Sequence, residues 1–248
     1  MRYKMFLLAV SLVFAATSAS ASGIQLWSTG VCLGANSGAV GCTAGLLPFG
    51  VSDNNYVLTQ RADGGATGVN NNLTESSSVY GYLADAVGAS RWLAPNPISG
   101  TESTGTYTYR TTFSLAGFTA STLVLWLDVS ADNGFQVLIN GLALTPGLSN
   151  ATSGCLTGGV AAGQCFSVFT SNHSITNSMV NGGWLAGLNT IDFVVTNSDS
   201  MSPTALRVQA SGDAAVSGAA VPEPGTLGLL GLGLAGFGVF RRKTSAKK

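Results

Sequence analysis

Hydrophobic and polar residues alternate along four stretches in the middle of the chain, at residues 106–115, 122–130, 191–196 and 206–209. A period of two residues places every second side chain on the same side of an extended backbone, which is the pattern of a strand with one buried face. The second stretch is apolar on both faces, which indicates a central strand. The pattern therefore predicts several strands that share a core.

Turn signals separate these strands. Asp132-Asn133-Gly134 and Asn140-Gly141 follow apolar runs, and both are predicted hairpin turns because asparagine and glycine tolerate the positive φ that such turns need. No stretch before the C-terminal tail has the stripe of an amphipathic helix, and residues 79–87 are the only candidate for a short one. Many short strands with turns between them predict an all-β sandwich or barrel, formed by residues 22–212 as one domain.

The N-terminal residues 1–21 predict a secretory signal peptide. A short basic start precedes an apolar run at 5–16, and small residues end in Ala19-Ser20-Ala21, so cleavage is expected after Ala21. The alternative is a membrane anchor, but about a dozen apolar residues fall short of the ~20 that span a bilayer.

The C-terminal residues 222–248 predict a second targeting segment, joined to the sandwich by a linker at 213–221. Two prolines around Glu223 cannot continue a helix or a central strand, so they predict an extended, accessible stretch. The apolar run at 226–240 is short for a stable span but long enough for a transient transmembrane helix, and the basic residues at 241–248 would keep the tail in the cytoplasm.

This order of motifs resembles a PEP-CTERM sorting signal. The resemblance implies a Gram-negative host that makes exopolysaccharide, and recognition by an exosortase, a membrane cysteine transpeptidase that cuts near Pro-Glu-Pro. It also implies a precursor anchored in the inner membrane that then passes to the cell surface or extracellular matrix. A plain C-terminal anchor is the alternative. The residues expected to carry sorting and processing are Pro222, Glu223, Pro224, Arg241 and Arg242.

The middle of the chain has a resemblance of its own. The strand at 107–115, the turn at 130–134, the hairpin at 137–141 and the strand at 188–195 resemble galactose-binding-like jelly-roll modules. This resemblance implies an antiparallel β-sandwich that often binds glycans, sometimes with a structural calcium. Because no carboxylate-dense loop occurs, calcium has no support in the sequence, and no metal or cofactor is predicted.

The net charge of +0 over 248 residues conceals an uneven distribution. Seven of the 11 basic residues lie in the two terminal segments, whereas residues 22–220 hold four basic and ten acidic residues, a net −6. Only 9% of all residues are charged, against roughly a quarter in soluble proteins. This charge pattern argues against a nucleic-acid-binding protein, which needs a basic surface.

Four cysteines form two pairs with the same spacing, Cys32 with Cys42 and Cys155 with Cys165. Three connectivities are open, and the short, glycine-rich loops favour the two local disulfides. No C-x-x-C pair occurs and export exposes the chain to oxidants, so disulfides are favoured over a zinc site.

No catalytic residue is predicted. The single histidine, His173, lies in a polar stretch expected to be a solvated loop, and no G-x-S-x-G motif occurs. Asp128 and Asp132 are the nearest carboxylate pair that would suit glycoside hydrolysis, but a turn explains one and a strand position the other.

Ligand binding is favoured over catalysis. Sugar recognition places flat aromatic rings beside hydrogen-bonding side chains, although tryptophans in such positions also serve as core residues that cap a sandwich. We therefore expect an exported, non-catalytic surface or matrix protein that associates with exopolysaccharide or surface glycans. The alternatives are a purely structural or adhesive surface protein without glycan binding, and a secreted glycoside hydrolase. The candidate ligand-binding residues are Arg91, Trp92, Asp132, Asn133 and Trp184.

Overall fold

A computed structural model of the chain describes residues 22–68, 72–75, 81–85, 90–96, 102–149, 166–167, 169 and 173–217, which all belong to one compact unit, Ser22–Gly218. The predicted signal peptide, Cys155 and Cys165, and the sorting segment 222–248 lie outside the described residues. Within the described ranges, no helix has the length and apolar character to cross a membrane.

The described residues form eleven strands in two antiparallel sheets, which confirms the prediction of an all-β fold. Sheet one has the order β3-β4-β11-β6-β9, with β1 also paired to β11, and sheet two has the order β2-β5-β10-β7-β8. The strands are β1 Ser22–Gly23, β2 Val57–Gln60, β3 Leu73–Glu75, β4 Trp92–Ala94, β5 Gly105–Ser114, β6 Val124–Asp132, β7 Gly134–Ile139, β8 Leu142–Ala143, β9 His173–Thr176, β10 Leu188–Asn197 and β11 Ala205–Ala214. Short 3-10 helices occupy Gly34–Asn36, Ala120–Thr122 and Asn177–Met179.

The main core lies between the sheets and follows the predicted alternation. On β5, Tyr107, Tyr109 and Phe113 point inward, and on β6 Leu125 and Leu127 do the same. The prediction that β6 is a central strand is confirmed, because β11 and β9 pair with its two sides. The two sheets therefore pack as a sandwich around one continuous apolar layer.

Strand pairing from β4 to β11 is nested. The first of these eight strands pairs with the last, β5 pairs with β10, β6 with β9, and β7 with β8. β5 and β10 are in register over ten residues each, from Leu188 opposite Ser114 to Asn197 opposite Gly105. This is the pairing of one long hairpin that has been folded over on itself, so that most connections pass from one sheet to the other.

The two predicted hairpin turns have different outcomes. Asn140 and Gly141 have φ of 52° and 79°, and Ile139 lies opposite Leu142, so the hairpin between β7 and β8 is confirmed. The prediction for Asp132-Asn133-Gly134 is wrong, because this segment connects β6 in sheet one to β7 in sheet two. Both sides of β6 are already paired, and the positive φ of a hairpin is absent at Asn133 and Gly134.

Sheet one carries a second, smaller cluster on its outer face. Tyr82 stacks on Trp92 with ring centroids 4.4 Å apart, and both belong to this cluster with Ala94 and Ala205. The segment around Tyr82 thereby covers a face that the alternation pattern predicted to be polar and open.

This cover buries Arg207 completely. Its Nε donates to the Ser90 Oγ at 2.8 Å, and its Nη1 donates to the carbonyls of Leu83 and Ala84 at 2.9 and 2.7 Å. Burial lowers the pKa of Arg207, and the charge of Asp85 opposes that shift. Through these three hydrogen bonds the guanidinium connects β11 to Leu83, Ala84 and Ser90.

The N-terminal segment lies along β11 before it enters a disulfide-closed loop. Ile24 N donates to the Gly212 carbonyl at 3.2 Å and Thr29 N to the Val208 carbonyl at 3.0 Å. Cys32 and Cys42 form the predicted disulfide, with Cα atoms 6.3 Å apart. β11 ends at Ala214, so it extends two residues into the segment 213–221 expected to be a linker.

Replacing Arg207 with methionine should destabilise the sandwich strongly, because the buried Ser90 hydroxyl and the part-buried carbonyls of Leu83 and Ala84 would each lose a charged donor. We expect a loss of roughly 3 kcal/mol or more in the free energy of unfolding, measured by urea denaturation. Arg207→Lys should lose less, since it keeps the charge but not the planar set of donors. Equal stability of Arg207→Met and the parent chain would show that these bonds contribute nothing.

Candidate functional site

Both predicted ligand-binding tryptophans lie in apolar clusters. Trp92 has 0% of its surface exposed, and its Nε1 donates to the Leu83 carbonyl at 2.9 Å. Trp184 is 6% exposed and meets Phe113 edge-on, with ring centroids 5.8 Å apart. Neither indole presents a face on which a sugar ring can stack, which matches the core-aromatic alternative.

Arg91 interacts with other parts of the same chain. Its Nε contacts the Asp85 Oδ2 at 3.1 Å, and its guanidinium lies 4.0 Å above the centre of the Phe49 ring. It also donates to the Leu47 carbonyl. These contacts join the N-terminal loop to the segment that precedes β4, so they explain Arg91 by structure alone.

Asp132 and Asn133 hold the corner between the two sheets. The buried Asp132 carboxylate accepts a hydrogen bond from the Tyr82 hydroxyl at 2.9 Å. The Asn133 side chain accepts from Ser198 N at 2.8 Å and donates to the Asp199 Oδ2 at 3.2 Å. Tyr82 therefore brings Trp92 and Asp132 together, whereas Trp184 lies in the other cluster.

The Asp132 carboxyl has an altered acidity. Burial raises its pKa to about 6, against the lowering effect of the Tyr82 hydrogen bond, and the nearby Asp199 and Glu102 raise it further. The described residues contain no group of three or more histidine, cysteine, aspartate or glutamate side chains arranged to hold a metal ion.

The carboxylate pair proposed for hydrolysis is widely spaced. Asp128 and Asp132 lie on the same strand four residues apart, which places their Cα atoms roughly 13 Å from each other. Glycosidases use carboxyl groups about 5–10 Å apart. His173 begins β9 opposite Leu127, so the expectation of a solvated loop is wrong: backbone pairing with β6 makes it a half-buried strand residue.

His173 lines a small, mostly apolar cavity of about 210 Å³ together with Leu148, Ile175 and Met179. None of the other described residues that line this cavity has a titratable side chain. We therefore assign it no chemistry.

The larger depression, here called the Trp27 groove, has a volume of about 410 Å³. One wall is the N-terminal segment after β1, and the other is formed where β5 ends and β10 begins. Its volume lies within the range of about 300–1,000 Å³ found for small-molecule sites. The lining residues are Gly23, Gln25, Trp27, Thr112, Phe113, Ser114, Phe118 and Leu188.

Trp27 is held in place from two sides. Its carbonyl accepts a hydrogen bond from the hydroxyl of the buried Tyr56 at 2.8 Å. Its indole packs directly on the backbone of Gly34, where a Cβ atom would lie 2.5 Å from Cε2 and 2.8 Å from Cδ2. Gly34 also has a φ of +62°, so both the contact and the conformation require glycine there.

The loop under Trp27 is organised by the buried Asp53. Its carboxylate accepts from Gly30 N at 2.6 Å, from the Asn36 amide at 2.7 Å and from Asn55 N at 2.9 Å. Burial raises the pKa of Asp53, and these hydrogen bonds counteract the rise. This arrangement forms a turn at Asn54 and Asn55 that leads towards β2.

Sequence reasoning missed Trp27. No alternation or turn signal surrounds it, and its partners Gly34 and Tyr56 lie 7 and 29 positions away in the chain. The one local signal is the glycine-rich loop that follows, which permits close backbone approach to a ring.

Comparison with known proteins identifies the C-terminal segment. Residues 220–243 match the PEP-CTERM protein-sorting motif, which confirms the predicted resemblance. No curated protein and no solved structure matches the chain. The motif indicates a surface protein that an exosortase sorts.

Replacing Asp132 with asparagine should change how stability depends on pH. A folded pKa of about 6, above the ordinary 3.8, means that folding takes up a proton between these values, so the free energy of unfolding falls as pH rises from about 4 to 6. Above pH 6, Asp132→Asn should be more stable than the parent chain by up to about 3 kcal/mol, and the difference should vanish below pH 4.

Urea denaturation at a series of pH values measures this difference. Asp63→Asn is the matched control. Its difference in free energy of unfolding from the parent chain should change with pH in the opposite direction, because the hydrogen bond from Arg61 lowers the pKa of Asp63. A pH-independent difference between Asp132→Asn and the parent chain would contradict the prediction.

Proposed function

We propose that this protein is an exosortase-sorted, non-catalytic surface or extracellular-matrix protein whose sandwich associates with exopolysaccharide or surface glycans. The observation that carries the proposal is the sorting motif at 220–243, which follows the last described residue of the sandwich, Ser217, almost immediately. The destination comes from the motif, and the interaction with glycans is assigned to the sandwich.

The proposed export route begins at the N-terminus. Cleavage after Ala21 would leave Ser22 as the first residue, and Ser22 is also the first residue of β1, opposite Ala214. Removal of residues 1–21 would therefore leave every described strand complete.

The proposed sorting route uses the C-terminal segment. Pro222-Glu223-Pro224 would be presented to the exosortase while 226–240 crosses the inner membrane and Arg241 and Arg242 stay in the cytoplasm. Cutting near the Pro-Glu-Pro motif would then release the sandwich to the surface or matrix of a Gram-negative cell.

We propose a galactose-binding-like jelly roll as the fold of the sandwich. Support comes from the nested pairing of eight strands, β4 to β11, in two sheets, which is the arrangement expected when a long hairpin rolls up. Galactose-binding-like modules often bind glycans, and this supports a glycan as the partner.

A non-catalytic protein fits the positions of the titratable side chains. Asp128 and Asp132 lie four residues apart on one strand, with Cα atoms roughly 13 Å apart, and the Asp132 carboxylate is bonded to Tyr82. The Asp128–Asp132 pair therefore gives no support to the glycoside hydrolase alternative, and a structural or adhesive protein without glycan binding is the second candidate.

Replacing Glu223 with alanine should block sorting. The parent chain should be recovered from the surface or matrix with a mature C-terminus near residues 222–224, and the variant should stay in the membrane fraction with 226–248 attached. Cell fractionation followed by C-terminal mass spectrometry in the native host measures both. Asp213→Ala is the matched control, since Asp213 is an exposed acid at the end of β11 outside the motif. An identical mature C-terminus in parent and Glu223→Ala would contradict the sorting proposal.

The chain should also co-sediment with purified host exopolysaccharide and release no reducing sugar from it. Retention that persists at high salt is expected, because few exposed charges are available for electrostatic binding. Absence of co-sedimentation would favour the structural alternative, and release of reducing sugar would favour the hydrolase.

A further inference from the structure

We infer that the Trp27 groove binds a neutral saccharide. This inference rests on the proposed glycan association and names its site, which differs from the tryptophans expected from the sequence.

The first argument is the aromatic platform. Trp27 is the only groove-lining tryptophan, it is half-buried, and Gly34 packs against its ring atoms Cε2 and Cδ2. Gly34 covers one face of the ring at the bond shared by its two cycles, and because Trp27 lines the groove, we assign the other face to the ligand. Sugar rings present C–H groups that pack on such a face, and a fixed indole loses little conformational entropy when it binds them.

The second argument is the set of hydrogen-bonding groups around the platform. Gln25, Thr112 and Ser114 line the groove and are exposed, so an amide and two hydroxyls lie within one depression. The Ser114 Oγ accepts a hydrogen bond from Ala116 N at 3.1 Å, which orients its hydroxyl while leaving the hydrogen to donate. Amides and hydroxyls both donate and accept, as saccharide hydroxyl groups require.

The third argument is the absence of charge. None of the eight lining residues is ionisable in the physiological range. The nearest ion pair on β5 joins Arg110 to Asp192 through two bonds of 2.6 and 2.8 Å, so that the two charges neutralise each other. An uncharged, partly aromatic groove favours a neutral saccharide over an acidic one, which would need a cationic partner.

The position of the groove in the fold makes it rigid. Thr112 and Ser114 belong to the ten-residue pairing of β5 with β10, and Leu188 lies directly opposite Ser114. Tyr56 and Asp53 fix the other wall through bonds to Trp27 and Gly30. Sites on paired strands hold their geometry better than sites on open loops.

Isothermal titration of the full chain with neutral oligosaccharides of glucose, galactose and mannose tests the inference. Trp27→Ala should weaken binding of the best oligosaccharide roughly tenfold or more, as expected when a tryptophan at the centre of a site is truncated. Trp126→Ala is the matched control, because Trp126 is also half-buried but lies on β6 outside the groove. The control should bind within about twofold of the parent chain.

A second variant guards against misfolding of Trp27→Ala. Thr112→Val with Ser114→Ala changes two exposed side chains, so the thermal unfolding midpoint should be retained while binding weakens severalfold. Equal binding by the parent chain and both groove variants would overturn the Trp27 groove as the site and leave the proposed glycan association intact.

The two proposals fail in different ways. If no neutral oligosaccharide binds while the chain still co-sediments with host exopolysaccharide, the neutral-saccharide assignment is overturned and the glycan association stands. If neither binds, the proposed glycan association is itself overturned.

Discussion

The ten-residue antiparallel pairing of β5 with β10 is the constraint on which the rest of the sandwich depends. β2 and β7 add to its two sides, and its inward side chains, Tyr107, Tyr109 and Phe193 among them, supply much of the core layer. Its two ends also define the two regions discussed above. Leu188 opposite Ser114 forms a wall of the Trp27 groove, and Asn197 opposite Gly105 lies at the end where Asn133 holds the loop between β10 and β11. A shift of one residue in this register would move every core side chain of the shifted strand to the outer face of the sheet.

The sequence predicts the strands well because a period of two is a local property, and β5, β6, β10 and β11 were all indicated by alternation alone. It predicts long-range contacts poorly. Arg207 alternates with apolar neighbours as an outward residue should, yet the segment around Tyr82, more than 100 positions away, covers it. Asp132-Asn133-Gly134 has hairpin chemistry but connects two sheets, since turn composition does not reveal which strands are already paired. Trp27 is a candidate ligand-binding residue because of its contacts with Gly34 and Tyr56, and both contacts are long-range.

Most acidic side chains of the sandwich are buried or paired with arginine. Of its ten acidic residues, Asp53, Glu75, Glu102, Asp132 and Asp192 are buried, and Asp63 and Asp85 are paired with arginines. The buried carboxylates organise loops and corners, as Asp53 does under Trp27, instead of creating a surface potential. The ion pairs already cancel within the net −6, and the burial of Asp53, Glu75, Glu102 and Asp132 leaves fewer acidic groups exposed than the sequence count implies. A surface with few exposed charges suits short-range contacts with uncharged groups and gives little electrostatic steering.

Both described ends of the sandwich lie beside the Trp27 groove, because Gly23 of β1 and Phe118, which pairs with Val216, are among its lining residues. β1 and the end of β11 pair with each other, and the last described residue, Ser217, is bonded through its amide to the Gly117 carbonyl at 2.8 Å. Four residues separate it from Pro222, so a cut at the sorting motif removes no residue of the described sheets. The eight lining residues of the Trp27 groove lie between Gly23 and Leu188, and the Tyr56 hydroxyl and the pairing of β5 with β10 hold its two walls. Under the proposed sorting route, a cut near Pro222-Glu223-Pro224 would leave all eight lining residues in the released chain, so the groove proposed to bind a saccharide would be delivered with the sandwich.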